Sequence, residues 1–546
     1  MKDMRTSLGI STLVLSFVLA TLAAVPLTAQ DWPMFGQNVS NTASTTGKTI
    51  STANVSTLKT KWTFTTGGDV SARAAVVNSV AFFPDWGGNL WAVNAVTGQL
   101  IWGHQLSDYG LPGGTVSRTS PALTDTGATL YVGTQKGAWL LGINAKTGAL
   151  VWKTQLETTD THAIITTSPT VVGGVVYTGV ASQAEGGTFS GVDLSTSPAR
   201  GSVVAVNAKT GAVQWKTYTV PMGYTGGGVW GSNPVVDTAR NTVYVGTGDN
   251  YTHPHGTAPS AIAGETYSQC LGDSTNGGTE AKCLSPDDHV DSIVALDMST
   301  GAVKWARRLV TWNHTAPPYE YPVIDGSDDW NVDCIFGGSQ CPSNPGPDYD
   351  FGSAPNEITY KTSSGAIRTI IGAGQKSGIY YALDPDTGAT LWQTQVGPGS
   401  SLGGMEWGSA SDGHQIYVAI CNQNGIGWPD PYVGPNHAGS WAALDPATGA
   451  ILWQTADPNS SIDIGPVTAA NGVVYAASLS RDPNAPTQFA LDAATGNVVW
   501  SNKTGESVNA GATIVNGVVY WGSGYSNLGL GTGGKKTFYA FSLNGQ

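Results

Sequence analysis

Four stretches of the chain gather side chains of the types that do chemistry. "VASQAEGGTF" puts Glu185 just behind an apolar, strand-like run. "GGGVWGSNPVVDTARNTVYVGTGDN" holds Trp230, and Asp249 and Asn250 at the end of a second such run. "SDDWNVDCIFGGSQCPSNPGPDYDFGSAP" is dense in aspartates, among them Asp328, Asp348 and Asp350. "GAGQKSGIYYALD" sets Lys376 at a turn between strands, in a chain with only 25 lysines and arginines. A Glu, an Asp/Asn pair and further Asp at successive strand ends are donors for one oxygen-liganded cation. A tryptophan beside them would stack on a planar ligand, and a lysine would meet that ligand's carboxylates. The same residues also fit solvated loop carboxylates of an acidic protein, and spacing alone leaves both readings open.

Positioning such residues falls to a repeat. "ALDPATGAILWQT" returns as "AVNAVTGQLIWGH", "GINAKTGALVWKT", "AVNAKTGAVQWKT", "ALDMSTGAVKWAR", "ALDPDTGATLWQT" and "ALDAATGNVVWSN". The turn glycines are Gly98, Gly148, Gly211, Gly301, Gly388, Gly449 and Gly496, with a degenerate copy, "FYAFSLNG", ending at Gly545. Asp or Asn starts each turn, and glycine supplies the positive φ of a tight hairpin. Further strand pairs lie between these hairpins, so each unit holds four strands, the pattern of propeller blades. The last copy lacks its Trp strand, and "VSTLKTKWTFTT" near the N-terminus, with Trp62, supplies one. The fold expected is therefore all-β: an eight-bladed β-propeller of four-stranded antiparallel blades, closed by pairing the N-terminal strand with the C-terminal blade. The repeat tryptophans are expected to dock blade on blade rather than touch a ligand. The extra length falls between Gly148 and Gly449, so the middle blades carry the insertions, and the four polar stretches lie there.

Composition agrees with short strands and tight turns: 72 glycines and 19 tryptophans in 546 residues, with only 12% charged. A net charge of −13 argues against a non-specific nucleic-acid binder. Lys2 and Arg5 precede an apolar stretch that ends in "LTAQ", which reads as a signal peptide over 1–29, leaving 30–546 as one propeller domain in the periplasm or secreted. Beyond the signal no run is long and apolar enough for a transmembrane helix. Cys270 with Cys283, and Cys334 with Cys341, read as loop disulfides, leaving Cys421 buried. No CxxCH motif for a covalent haem occurs.

At the four polar stretches the chain resembles the pyrroloquinoline quinone (PQQ) dependent alcohol dehydrogenases, most of all their polyvinyl alcohol dehydrogenase branch. The resemblance covers nearly all the mature chain. "SQAE" matches the family's "SGAE"-type segment and implies Ser182 at the quinone and Glu185 on the metal. "GGGVWG" matches the family's "GG-x-x-WG" and implies Trp230 as the stacking platform. "GTGDN" stands where the family has "GTGN", implying Asp249 or Asn250 as a metal ligand. "PDYDFGSAP" resembles "WDYD-x-P", which implies Asp348 as the catalytic base and Asp350 as its neighbour; a competing register on "DDWN" would put Asp328 or Asn331 there. "QKSG" fits the turn that brings a cation beside the quinone, through Lys376. "TVSRTSPAL", "IITTSPTVV" and "GGMEWG" resemble quinone-contacting segments and add Arg118, Thr166, Thr167, Glu406 and Trp407. Many family members stack the quinone's other face on a disulfide of adjacent cysteines; this chain has no Cys-Cys pair, so that face must be closed otherwise. An Asp at the offset of Asp350 accompanies lanthanide use in related enzymes, which keeps a lanthanide open beside Ca²⁺.

The chemistry implied is hydride removal from an alcohol, polymeric or small, with PQQ as the cofactor. The metal polarises the quinone carbonyl, Lys376 stabilises negative charge on it, and Asp348 takes the hydroxyl proton. Electrons pass to an external acceptor such as a cytochrome c. The rival reading is a propeller without cofactor that binds proteins or glycans in the cell envelope. It shares the repeat and the signal but does not require Glu185, Trp230, Asp348 and Lys376 together.

Overall fold

The computed structural model describes residues 31–546 apart from 125, 195–196, 255, 274–279, 310–347, 426–437 and 528. The expected turn forms at each repeat. In the first, the Asn94 side-chain oxygen accepts the N–H groups of Val96 and Thr97, both at 2.9 Å, and Gly98 N–H donates to the Asn94 carbonyl at 2.8 Å with φ of 75°. Asn144, Asn207, Asp297, Asp384, Asp445 and Asp492 make the same pair of bonds in their turns. An acceptor side chain at the first position is what makes Asp or Asn start the hairpin.

Each hairpin belongs to a sheet of four antiparallel strands, and the described residues form eight such sheets, two of which carry a fifth short strand. They run over 75–105, 122–155, 170–218, 235–308, 356–395, 410–456 and 468–502 as blades 1 to 7. Blade 8 takes three strands from 513–543 and its fourth from Leu58–Thr65, which pairs antiparallel with Thr537–Leu543 from Leu58 opposite Leu543 to Thr65 opposite Thr537. The all-β, eight-bladed propeller and its closure by the N-terminal strand are as expected from the repeat. None of the described helices is long and apolar enough to cross a membrane.

The repeat tryptophans join neighbours. Trp62, Trp102, Trp152, Trp215, Trp305, Trp392, Trp453 and Trp500 each donate their indole N–H to a backbone carbonyl of the next blade: Ala95, Ala145, Ala208, Met298, Pro385, Pro446, Ala493 and Leu58. The last of these closes the circle. The rings of all of these but Trp500 also cover the turn glycine of the following blade, so that a Cβ on Gly211 would lie 2.6 Å from the Trp152 ring. Apolar clusters fill the seams, as where Trp102, Phe82 and Leu90 of blade 1 pack on Leu130, Val132 and Leu141 of blade 2.

Residues 32–50 were not assigned a role by the repeat. They run around the innermost strands in blade order. Trp32 exchanges two backbone hydrogen bonds with Val76 of blade 1, and Pro33 accepts one from Leu123 of blade 2. Val39, Ser40, Thr42 and Ala43 accept from Val236, Glu357, Ser411 and Ala469 of blades 4 to 7. Ser44–Thr45 then adds a short parallel strand to blade 7, and Thr49 packs on Gly517 of blade 8.

Candidate active site

The longest connections carry the polar stretches to one cavity. Glu185 lies in a 3-10 turn, Gln183–Ser190, that continues strand Val175–Ser182 of blade 3. Asp249 and Asn250 follow strand Thr242–Gly246 of blade 4. Asp348 and Asp350 precede blade 5, and Lys376 sits in the turn between its strands Ile367–Gly374 and Ile379–Leu383. Arg118, Thr166, Trp230, Glu185, Asp348, Lys376, Glu406 and Trp407 all line the same cavity of about 960 Å³.

Lys376 is the hub of charge. Its ammonium lies 2.8 Å from Asp348 Oδ1, 3.3 Å from Asp350 Oδ2 and 5.1 Å from the centre of the Trp230 ring. Burial works against its charge, but Asp348 and Asp350, with Glu406 and Glu185 behind them, hold it protonated well beyond the ordinary lysine range. Asp350 is fully buried and acts as a clamp. It accepts Trp230 Nε1–H at 2.7 Å through one oxygen and the Asp249 N–H at 2.9 Å through the other. A Cβ on Gly248 would stand 2.9 Å from Asp350 Oδ2 and 3.0 Å from Trp230 Nε1, so only glycine allows this approach. Asp348 has φ of 62°, a left-handed conformation that side chains seldom adopt outside sites that hold them there.

Oxygen atoms of Asp249, Asp348 and Asp350 fall within 4.8 Å of one another. Neither carboxylate oxygen of Asp249 accepts a hydrogen bond, nor does Asn250 Oδ1, although both residues are fully buried. Burial, then Asp350, Asp348 and Glu185, drive the Asp249 carboxyl well above the usual range. Burial likewise pushes Glu185 and Glu406 up to about 8, with Asp350 adding to both and Lys376 opposing. Five carboxylates thus crowd around one ammonium. A hard multivalent cation fits this donor set, since it would take the bare oxygens of Asp249 and relieve the crowding among Asp249, Asp348 and Asp350.

The remaining residues divide between the cavity wall and its support. Trp407 meets Trp230 edge to face, with ring centres 5.3 Å apart, and Arg118 lies 4.2 Å over the Trp407 ring. Thr166 and Thr167 donate to the carbonyls of Trp230 and Val229 at 2.9 and 2.6 Å, which fixes the segment that presents Trp230. Ser182 is buried and accepts the Ala184 N–H at 3.1 Å, shaping the turn to Glu185. Asp328 lies outside the described residues, as do Cys334 and Cys341. Cys270 and Cys283 form the expected disulfide, and Cys421 is free and buried. Ile164, Leu402, Ile464 and Leu530 supply apolar wall in a chain without adjacent cysteines.

Several contributors carry no mark in the sequence. Asp288 accepts Asn250 Nδ2–H at 2.9 Å and so orients its amide. Tyr525 accepts a hydrogen bond from Arg118 at 3.3 Å, and Trp86 flanks the same guanidinium at 5.9 Å. Trp86, in "PDWGGNLW", was the one with a detectable signal, since it stands off the repeat pattern.

A propeller of eight Trp-docked blades, whose longest connections gather carboxylates, a lysine and a tryptophan platform, defines the class of PQQ-type propellers. The chain belongs to this family: the family model described as outer membrane protein assembly factor BamB matches residues 28–197 and 437–545, just over half of it. The unmatched middle holds Trp230, Asp249, Asn250, Asp348, Asp350, Lys376, Glu406 and Trp407. Along most of its length the chain is similar to polyvinylalcohol dehydrogenase of Sphingopyxis sp. (strain 113P3), with 28% identity over 91% of this chain and 74% of that protein. Polyvinylalcohol dehydrogenase of Pseudomonas sp. is also 28% identical, over 95% and 78%. Among solved structures, quinohemoprotein alcohol dehydrogenase of Comamonas testosteroni shares the fold with a TM-score of 0.65 and 21% identity, over 95% of this chain and 81% of that one.

Proposed function

We propose that the chain is a quinoprotein alcohol dehydrogenase of the periplasm or cell exterior, made as a signal peptide over 1–29 and one propeller domain over 30–546. The observation that carries this reading is the Asp348–Lys376 pair, which lines the cavity beside Trp230 and the bare oxygens of Asp249. Relatives named as alcohol dehydrogenases along most of the chain support it.

PQQ, when bound, would supply the two-electron chemistry that turns the alcohol into a carbonyl compound. Trp230 is the stacking platform, held flat by its bond to Asp350. Glu185, Asp249 and Asn250 would hold the cation, Ca²⁺ or a lanthanide. Arg118, Thr166, Thr167, Ser182, Glu406 and Trp407 shape the cofactor's surroundings. Asp348 receives the hydroxyl proton, and Lys376, 2.8 Å away, orients its carboxylate. Electrons then leave to an external acceptor such as a cytochrome c. The names of the two polyvinylalcohol dehydrogenases favour a secondary or polymeric alcohol as the substrate.

The test is reconstitution of the purified chain with PQQ and Ca²⁺, and in parallel with PQQ and La³⁺. Saturable binding by absorbance, with dye reduction that depends on polyvinyl alcohol or small secondary alcohols, is expected. A folded protein that binds no PQQ with either ion would instead point to an envelope binding propeller.

A further inference from the structure

The connection from blade 6 to blade 7 reads Asp457-Pro-Asn-Ser-Ser-Ile-Asp463. Both aspartates are fully buried, while the residues between them are exposed or half-buried. Among the described residues no N–H or hydroxyl donates to either carboxylate oxygen of Asp463, and no lysine or arginine offsets its charge; its polar neighbour is the Asp457 carboxyl, at hydrogen-bond distance. Two other buried carboxylates, by contrast, are well supplied with donors. Asp85 accepts from Gly67, from Asn89 twice over and from Trp91, and Asp69 accepts from Ser526 and Gly534. A bare buried carboxylate is shared instead with Asp249, in the candidate metal cluster described above. Burial and the facing Asp457 push the Asp463 carboxyl well above its ordinary range.

The surroundings supply more oxygen. The Ser461 carbonyl and Asp463 Oδ2 both crowd the point where a Gly439 Cβ would stand, Oδ2 at 2.7 Å. A glycine there is what lets the two oxygens converge. We propose that Asp457, Asp463 and the Ser461 carbonyl form a second cation site, for a hard divalent ion such as Ca²⁺. Two carboxylates neutralise such an ion, and oxygen donors at alternate positions of a short loop are how calcium loops present them. The ion would brace the cavity from behind. Ile464, next in the chain, accepts the Trp407 N–H at 3.3 Å, and both residues line the cavity.

The inference does not rest on the redox reading, and its test needs neither PQQ nor alcohol. Metal-depleted full-length chain is dialysed against Ca²⁺ and the bound ion counted in three forms: unmodified, Asp463→Asn, and Glu185→Gln/Asp249→Asn. Two ions per chain are expected in the first and one in each of the others. Ca²⁺ should raise the thermal midpoint of the Glu185→Gln/Asp249→Asn form, and adding Asp463→Asn should abolish both that rise and the remaining ion. No bound ion in the Glu185→Gln/Asp249→Asn form overturns the proposal. So does an unchanged count in Asp463→Asn, which would mean that the two aspartates share a proton. Should Asp463→Asn fail to fold, the count in the Glu185→Gln/Asp249→Asn form decides alone.

Discussion

At the scale of the residue, the site is a balance of charge around Lys376. Asp348→Asn keeps the shape and removes the proposed proton acceptor, so PQQ binding should persist while turnover falls by about 10²–10⁴-fold, as steady-state dye reduction would show. Lys376→Met leaves Asp348 and Asp350 buried against each other without their cation. Breaking a buried pair on one side costs about 3–5 kcal/mol, a loss that urea unfolding of the metal-free chain would register. A second ion pair, Glu157 with Lys216, sets a pH dependence away from the site. Burial alone would raise the Glu157 carboxyl, but hydrogen bonds from Lys216 and Thr159 outweigh it and bring it from 4.5 down to about 2. A carboxylate depressed on folding stabilises the native state above its unfolded pKa and loses that contribution as pH falls through the folded one. The stability gap between the parent and Glu157→Gln should therefore be full at neutral pH and close between about pH 4.5 and about 2. Lys376 and Trp230 were legible in the sequence because one is a lysine in a lysine-poor chain and the other stands off the repeat. Asp288 and Tyr525 were not, because nothing near them in sequence marks a contact made across blades.

At the scale of the element, the unit is the turn glycine under its neighbour's tryptophan. Gly211→Ala would force a Cβ onto the Trp152 ring at a φ of 75°, with an expected cost of about 1–3 kcal/mol. Trp152→Ala removes a buried indole and its bond to Ala208, at about 3–5 kcal/mol. The two act on one contact, so the double variant should cost less than the sum, and thermal or urea unfolding of all four proteins measures the shortfall. This element was readable because its chemistry is local: an Asx acceptor, a glycine, and an aromatic four residues on. The connections that build the site lack any such period. Their length placed them on the middle blades, but no local rule said that Asp350 would clamp Trp230 or that Asp348 would take a left-handed conformation.

At the scale of the molecule, the ring is closed twice, by the Leu58–Thr65 strand in blade 8 and by residues 32–50 across the innermost strands. The first closure could be read from a missing Trp strand at one end and a spare one at the other. The second could not, since its backbone hydrogen bonds are indifferent to side chains and leave no pattern. Removing residues 537–546 should leave Leu58–Thr65 unpaired, lower the thermal midpoint and raise binding of a hydrophobic dye such as ANS, although no site residue is touched. The double closure also bears on how the protein is made. The Leu58–Thr65 strand finds its place only beside Thr537–Leu543, made much later in the chain, so a product cut short before Thr537 is left with an open seam. Synthesis as far as Leu543 thereby becomes a condition of closing the ring, and a product truncated before it carries a loose end.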